Sequence, residues 1–135
     1  MEYLRGMEIK IGTGAPWEDT VGYSRAVRKG PHVWISGTAP VKDGKTFAPG
    51  DAYAQAICCL EIIADALKKV EASLEDVVRT RIFVTDISQW EAIGKAHGEY
   101  FGEIRPATTM VEVTKLISPD MLLEIEVEAF INNIA

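Results

Sequence analysis

Residues Pro106 to Glu128 restrict what this chain can fold into more than any other stretch. They form two runs that alternate apolar and polar side chains with period 2, joined by a short connection at Ile117-Ser118-Pro119-Asp120. Such alternation belongs to strands with one buried and one wet face. In the second run Leu123, Ile125 and Val127 point one way, and Glu124, Glu126 and Glu128 the other. In the first, Thr109, Val111 and Val113 share a face. A row of carboxylates on one strand face is costly unless water or cations meet it. That row is the first place to look for chemistry.

The rest of the chain supplies partners for these strands. Residues 1 to 12 read as a strand in which Met7, Ile9 and Ile11 alternate. Val21–Val27 and His32–Thr38 read as a strand pair around the turn Lys29-Gly30-Pro31, and Lys42-Asp43-Gly44-Lys45 as a further turn. Asp51–Glu71 is the clearest helix, because Ala54, Ile57, Cys58, Leu60, Ala64 and Leu67 recur at three- and four-residue spacing. Asp51 suits its first turn, and Lys68-Lys69 suit the dipole at its last. Val77–Thr85 is a strand with Val78, Thr80, Ile82 and Val84 on one face and Arg79, Arg81 and Phe83 on the other. Ser88-Gln89-Trp90-Glu91 fits a capping box. It opens a helix that runs to about Gly102, with Trp90, Ile93, His97, Tyr100 and Phe101 as its apolar side.

The resulting order, β-β-β-α-β-α-β-β, implies an α+β protein with a mixed sheet and both helices on one face. The opposite sheet face would be bare in a lone chain, yet it carries Phe83, Trp34 or its neighbours, arginines and glutamates. A partly apolar bare face asks for a partner. A homo-oligomer is expected, in which Arg79 and Arg81 meet the glutamate row.

A chain of 135 residues with 47% hydrophobic and 25% charged residues is expected to be a single domain over 1–135 with a real core. A net charge of −6 makes nucleic acid an unlikely partner. No apolar run approaches a membrane span, and the first residues lack the apolar stretch of a leader, so a cytoplasmic protein is expected. Cys58 and Cys59, being adjacent and inside an apolar helical pattern, read as small core residues. His32 and His97 have no metal-ligand spacing with other residues, and His97 reads as a packed or rim histidine. Gly12-Thr13-Gly14, with no helix signal after it, is weak evidence for phosphate binding.

Several segments taken in order resemble a known family. They are Gly22-Tyr23-Ser24-Arg25-Ala26-Val27, Ile35-Ser36-Gly37-Thr38-Ala39-Pro40-Val41, Pro106-Ala107 leading into Val111-Glu112-Val113, and Leu123-Glu124-Ile125-Glu126. Together they resemble the YjgF/Rid family of reactive intermediate deaminases, once labelled translation inhibitors, from about Gly22 to Ala129. The resemblance implies a chorismate-mutase-like α+β fold. It also implies a homotrimer with a central barrel and ligand clefts between subunits. The implied activity is cofactor-free, metal-free hydrolysis of small enamines and imines to a 2-keto acid and ammonia. Carried over by position, Glu124 holds or activates water and Tyr23 lines the cleft.

The family's Pro-Ala-Arg motif departs here, because Thr108 occupies the position of the arginine that grips the substrate carboxylate. Threonine offers one hydroxyl in place of a permanent charge and a planar fork. A charge-assisted bond is worth roughly 1.5–3 kcal/mol, so its loss weakens a carboxylate substrate by about one to two powers of ten. The substrate implied is therefore an altered one, neutral or lacking the usual carboxylate. Arg25 and Arg105 are candidates to replace the missing cation, Arg25 being preferred because it follows Tyr23 at the spacing of one strand face. Ser36 is a candidate to polarise the ligand, and Trp17 to wall the cleft. The alternative is a non-catalytic trimer that binds a small metabolite or serves in regulation.

Overall fold

The computed structural model describes residues 7–132. Eight strands are present among them: β1 (Glu8–Ile11), β2 (Ala26–Lys29), β3 (His32–Thr38), β4 (Val41–Lys42), β5 (Lys45–Thr46), β6 (Val77–Val84), β7 (Ala107–Glu112) and β8 (Leu123–Phe130). The α-helices are α1 (Pro16–Val21), α2 (Ala52–Lys69) and α3 (Trp90–Phe101). Six strands form one sheet in the order β1-β2-β3-β8-β6-β7, and β4 and β5 form a small hairpin. The last strand in sequence is thus central. β8 pairs antiparallel with both β3 and β6, while β6 and β7 run parallel and are joined across α3.

The alternation read from the sequence sets the layers. Leu123, Ile125 and Val127 are almost fully buried, in register with Val84, Ile82 and Thr80 of β6. Against them pack Cys59, Leu60, Ile63 and Leu67 of α2 and Ile93, Ala96 and Phe101 of α3. The helical face of the sheet is therefore the core, as expected. The opposite face holds Trp34, Arg81, Glu126 and Glu128 and has no covering layer among the described residues. No described helix is long and apolar enough to cross a membrane.

Local expectations need correction at three places. The strand expected at Val21 is the end of α1, which Pro16 opens and Gly22 closes at a left-handed φ of 87°, so β2 begins only at Ala26. Val78 is not a core residue but 49% exposed. A bulge pairs Val77 with Ala129 and Arg79 with Glu128, so the extra residue moves Val77 into the core and turns Val78 out. The capping box at Ser88 does not form as expected. Asp86 instead accepts from the Ser88 amide at 3.0 Å and its hydroxyl at 2.6 Å, and a 3-10 turn (Ile87–Gln89) precedes α3. Trp90 then opens the helix pointing outward, 56% exposed.

Two buried polar side chains tie the layers together. Arg28 of β2 donates to the carbonyls of Gly30 (2.8 Å), Val70 (2.8 Å) and Glu71 (3.2 Å), placing a cation at the negative end of α2. Gln55 of α2 donates to the Asp120 carbonyl at 2.9 Å and accepts from the Leu122 amide at 2.8 Å, which anchors the segment entering β8. Replacing Gln55 with Leu leaves both backbone groups unpaired. We expect a loss of about 2–4 kcal/mol of stability by urea titration, from two groups at roughly 1–2 kcal/mol each. A loss below about 0.5 kcal/mol would show that the anchor is dispensable.

Candidate functional site

The open face of the sheet is built from the residues that the β8 alternation turns outward. Arg81 of β6 lies between two of them, with Nη1 at 3.1 Å from Glu126 Oε1 and 2.9 Å from Glu128 Oε1. The arginine expected to meet the glutamate row from another copy thus does so within one chain. Beside this bridge, Trp34, Ser36 and Val27 help line a shallow cavity of about 220 Å3.

Glu124, the first carboxylate of the row, has a different setting. It lies opposite Phe83 of β6 and close against Gly37 of β3. A methyl group on Gly37 would overlap the Glu124 carboxylate, which would have to swing aside to make room. The β3–β8 register shifts between Ile35 and Thr38, which places this close approach at an irregular point of the ladder. Burial pushes the Glu124 carboxyl up, Arg25 draws it partly back, and Glu126 adds to the rise. The net effect is a glutamate that keeps its proton to higher pH than usual.

Arg25 completes this group. Its Nη2 donates to the Gly37 carbonyl at 2.5 Å, and its guanidinium carbon stands 5.9 Å from the centre of the Tyr23 ring. Its Nε is buried and has no hydrogen-bond partner among the described residues. The backbone holds the arginine in place, since the Arg25 amide donates to Ile11 O at 2.7 Å and the Ser36 amide donates to Arg25 O at 3.0 Å. The Ser36 hydroxyl is committed to the Ser24 carbonyl at 2.7 Å, so it fastens the segment beside β3.

Tyr23, Arg25, Ser36 and Glu124 are thus assembled on one side of the sheet around Gly37. The other expected residues lie elsewhere. Trp17, on α1, borders a separate cavity of about 550 Å3 with Thr46, Ile117 and Asp120. Arg105 has a left-handed φ of 55° and donates Nε to the Gly102 carbonyl at 3.1 Å, closing the turn after α3. Thr108 lies on β7, two strands from β8 and in register with buried Thr80, so it belongs to the helical side of the sheet. Its hydroxyl bonds to Thr80 Oγ1 at 2.8 Å, and Thr80 Oγ1 in turn lies 2.9 Å from His97 Nε2. His97 also packs on Phe101, and burial lowers its pKa.

The loop Gly12-Thr13-Gly14 binds an internal anion. Its Thr13 and Gly14 amides donate to the Glu18 carboxylate at 3.0 and 3.3 Å, which leaves no phosphate cradle. Cys58 and Cys59 are buried free thiols pushed up by burial, as core residues should be. No cluster of His, Cys, Asp and Glu suited to a metal occurs among the described residues. Sequence reasoning missed Gly37 as a site residue, although a glycine inside an apolar strand run signals close approach. It also missed the pairing of Thr80 with His97, which depends on the β6–β7 register.

A mixed six-stranded sheet with α2 and α3 packed on one face makes this an α+β protein. The Endoribonuclease L-PSP family matches residues 14–131. A YjgF/YER057c/UK114 family member from Mycobacterium tuberculosis has a solved structure with a TM-score of 0.85 and 47% identity, covering 93% of this chain and 100% of that one. An uncharacterised Streptomyces coelicolor protein is 33% identical over 121 residues, 90% of each chain. The 3-aminoacrylate deaminase RutC of Acinetobacter baylyi is 36% identical over 119 residues, 87% of this chain and 93% of its own. The chain belongs to the Endoribonuclease L-PSP family, the YjgF/Rid proteins.

Two expectations follow from this geometry. Because the folded Glu124 binds its proton more tightly than the unfolded one, its contribution to stability is present in acid. It is lost as pH rises above about 4.3, the unfolded value, through the raised folded value. Glu124→Gln removes that loss, so its melting temperature should exceed the wild type's at pH 7.5 and match it at pH 4. An equal or larger gain at pH 4 would contradict the assignment. Gly37→Ala should displace the Glu124 carboxylate and destabilise the fold by about 1–3 kcal/mol, the usual cost of overpacking. A variant as stable as the parent would show that the contact is loose.

Proposed function

We propose that this protein hydrolyses a small imine or enamine to a carbonyl compound and ammonia, without a cofactor, in clefts shared between identical copies of a homotrimer. The observation that carries the proposal is Glu124: half-buried, raised in proton affinity by desolvation, and set against Gly37 beside Arg25. A carboxylate whose proton affinity is raised in this way is a stronger base than an exposed one and suits proton transfer. As water adds to the C=N carbon, Glu124 takes a water proton, and the carbon–nitrogen π pair moves to nitrogen. Glu124 returns that proton to the nitrogen; as the carbinolamine collapses, the hydroxyl oxygen forms the C=O bond and gives its proton back to Glu124, the C–N bond breaks and ammonia leaves. Tyr23 and Arg25 border the site and hold the substrate there, the Arg25 guanidinium lying 5.9 Å from the Tyr23 ring. The kinship with a 3-aminoacrylate deaminase supports this chemistry.

Thr108 supports the shared cleft. Within one chain it cannot meet Glu124, because it lies two strands away on the other side of the sheet. A neighbouring copy that docks β7 on the open face would bring its own Thr108 to the site. Ser36, bonded to backbone, serves as scaffold, and Trp17 and Arg105 lie outside the group. The replacement of arginine by Thr108 also favours a second reading, a trimer that binds a metabolite without turning it over.

Ammonia release from freshly generated 2-iminopropionate separates the two. We expect turnover that falls about 100-fold or more in Glu124→Ala, the usual share of a positioned acid–base group, with assembly retained. Unchanged turnover in that variant would refute the role of Glu124. Turnover found only in Thr108→Arg would mark a cleft that lacks its anchor, and turnover in neither would establish the binding reading.

A further inference from the structure

We propose that His97 and Thr80 are positioning residues that fix the direction of the Thr108 hydroxyl, so that Thr108 presents a hydrogen-bond donor and selects an acceptor oxygen on the ligand. This rests on the reading that Thr108 reaches the ligand cleft. The argument is a count of protons. A threonine hydroxyl has one proton to donate, and a neutral imidazole has one N–H. Thr108 Oγ1 donates to the Pro106 carbonyl at 3.2 Å. Its contact with Thr80 Oγ1 at 2.8 Å must therefore be filled by the Thr80 proton. Thr80 then has none left for His97 Nε2 at 2.9 Å, so the ring must donate to it. The chain runs one way, His97 Nε2–H to Thr80 to Thr108 to Pro106 O, and the His97 tautomer sets its direction.

Thr80 is fully buried, which holds the middle of the chain rigid and shields it from water. Burial also keeps the imidazole neutral, as a single-proton ring requires. The outer link is the longest of the three, and Thr108 itself is exposed. An incoming oxygen acceptor can take the Thr108 proton from Pro106 O without disturbing the inner bonds. The opposite polarity would spend the Thr108 proton inward and offer the ligand only lone pairs, favouring an N–H group. The tautomer thus decides whether this position reads a carbonyl or carboxylate oxygen or an imine N–H.

Long-range proton–nitrogen correlation on protein labelled with 15N-histidine tests the polarity directly. His32→Gln assigns the spectrum, since the chain has 2 histidines. We expect ligand-free His97 protonated on Nε2 at pH 7.5, with that preference lost in Thr80→Val and restored in Thr80→Ser. A proton on Nδ1 in the wild type overturns the inference. Pyruvate, the 2-oxo acid that 2-iminopropionate yields, is the binding probe for the second arm. Thr108→Val and Thr80→Val should each weaken it about two- to tenfold, one hydrogen bond's worth. The double variant should be no weaker than Thr108→Val alone, and Thr80→Ser should bind as the wild type does. Wild-type affinity in Thr80→Val overturns the inference, as do additive losses. A wild type that turns over the imine with His97 protonated on Nδ1 refutes this inference alone. An Nε2 tautomer in a protein with neither turnover nor pyruvate binding refutes the functional reading beneath it.

Discussion

Burial of Leu123, Ile125 and Val127 beneath α2 and α3 is the interaction on which the rest of the molecule depends. Each such side chain stabilises the fold by roughly 1.5–3 kcal/mol when taken out of water. The strand that carries them is central, so the same residues fix the register on both sides, against β3 and against β6. A slip of one residue would bury Glu124, Glu126 and Glu128 and expose the three apolar side chains. The position of the candidate catalytic carboxylate is thus set by the core.

The outward row divides into two kinds of carboxylate. Glu126 and Glu128 share Arg81, whose pKa they raise, Glu128 more than Glu126. These ion pairs are part-exposed and add little stability, but they offset the repulsion that adjacent like charges would otherwise exert. Glu124 has no such direct bridge among the described residues. It meets a glycine, partial burial and a cation whose nearest recorded hydrogen bond is to a carbonyl. Desolvation therefore outweighs attraction at Glu124. This is the usual physical origin of a reactive carboxylate.

Much of this was legible in the sequence because it depends on periodicity. The β8 alternation, the existence of α2 and the bare sheet face follow from spacing alone, but the α2 stripe was read partly off its face. Cys58, Leu60 and Leu67 are buried, whereas Ala54, Ile57 and Ala64 are only half-buried and Ala56, Cys59, Ile63 and Ala66 fill the core instead. The family resemblance was also readable, since its segments occur in order along most of the chain. What was not readable depends on a single extra residue or on register. The bulge at Val77 and Val78 exchanges two valines that composition cannot tell apart. Asp86 outcompetes Ser88 as the cap because a 3-10 turn intervenes. Trp17 and Arg105 carry promising side chains, but within the chain Trp17 sits on a six-residue helix beside a separate cavity and Arg105 in a left-handed turn bonded to the Gly102 carbonyl. The Thr80–Thr108 bond required knowing that β6 and β7 run parallel in that register.

The cation nearest Glu124 belongs to the same chain. A charge carried on β7, where the family places its arginine, would act on Glu124 only across a contact between copies. Arg25 is fastened beside Gly37 by its own backbone and by the Gly37 carbonyl, so its field acts on Glu124 before any assembly. In the proposed shared cleft, the neutral Thr108 leaves the far wall without charge. Covering the open face with a second copy removes more water from Glu124 while adding no cation from β7, and desolvation without compensation raises its proton affinity further. Exchanging arginine for threonine on β7 thus changes more than the grip on a substrate carboxylate. It leaves the acid–base strength of Glu124 to be set by burial, by Arg25 and by the neighbouring Glu126.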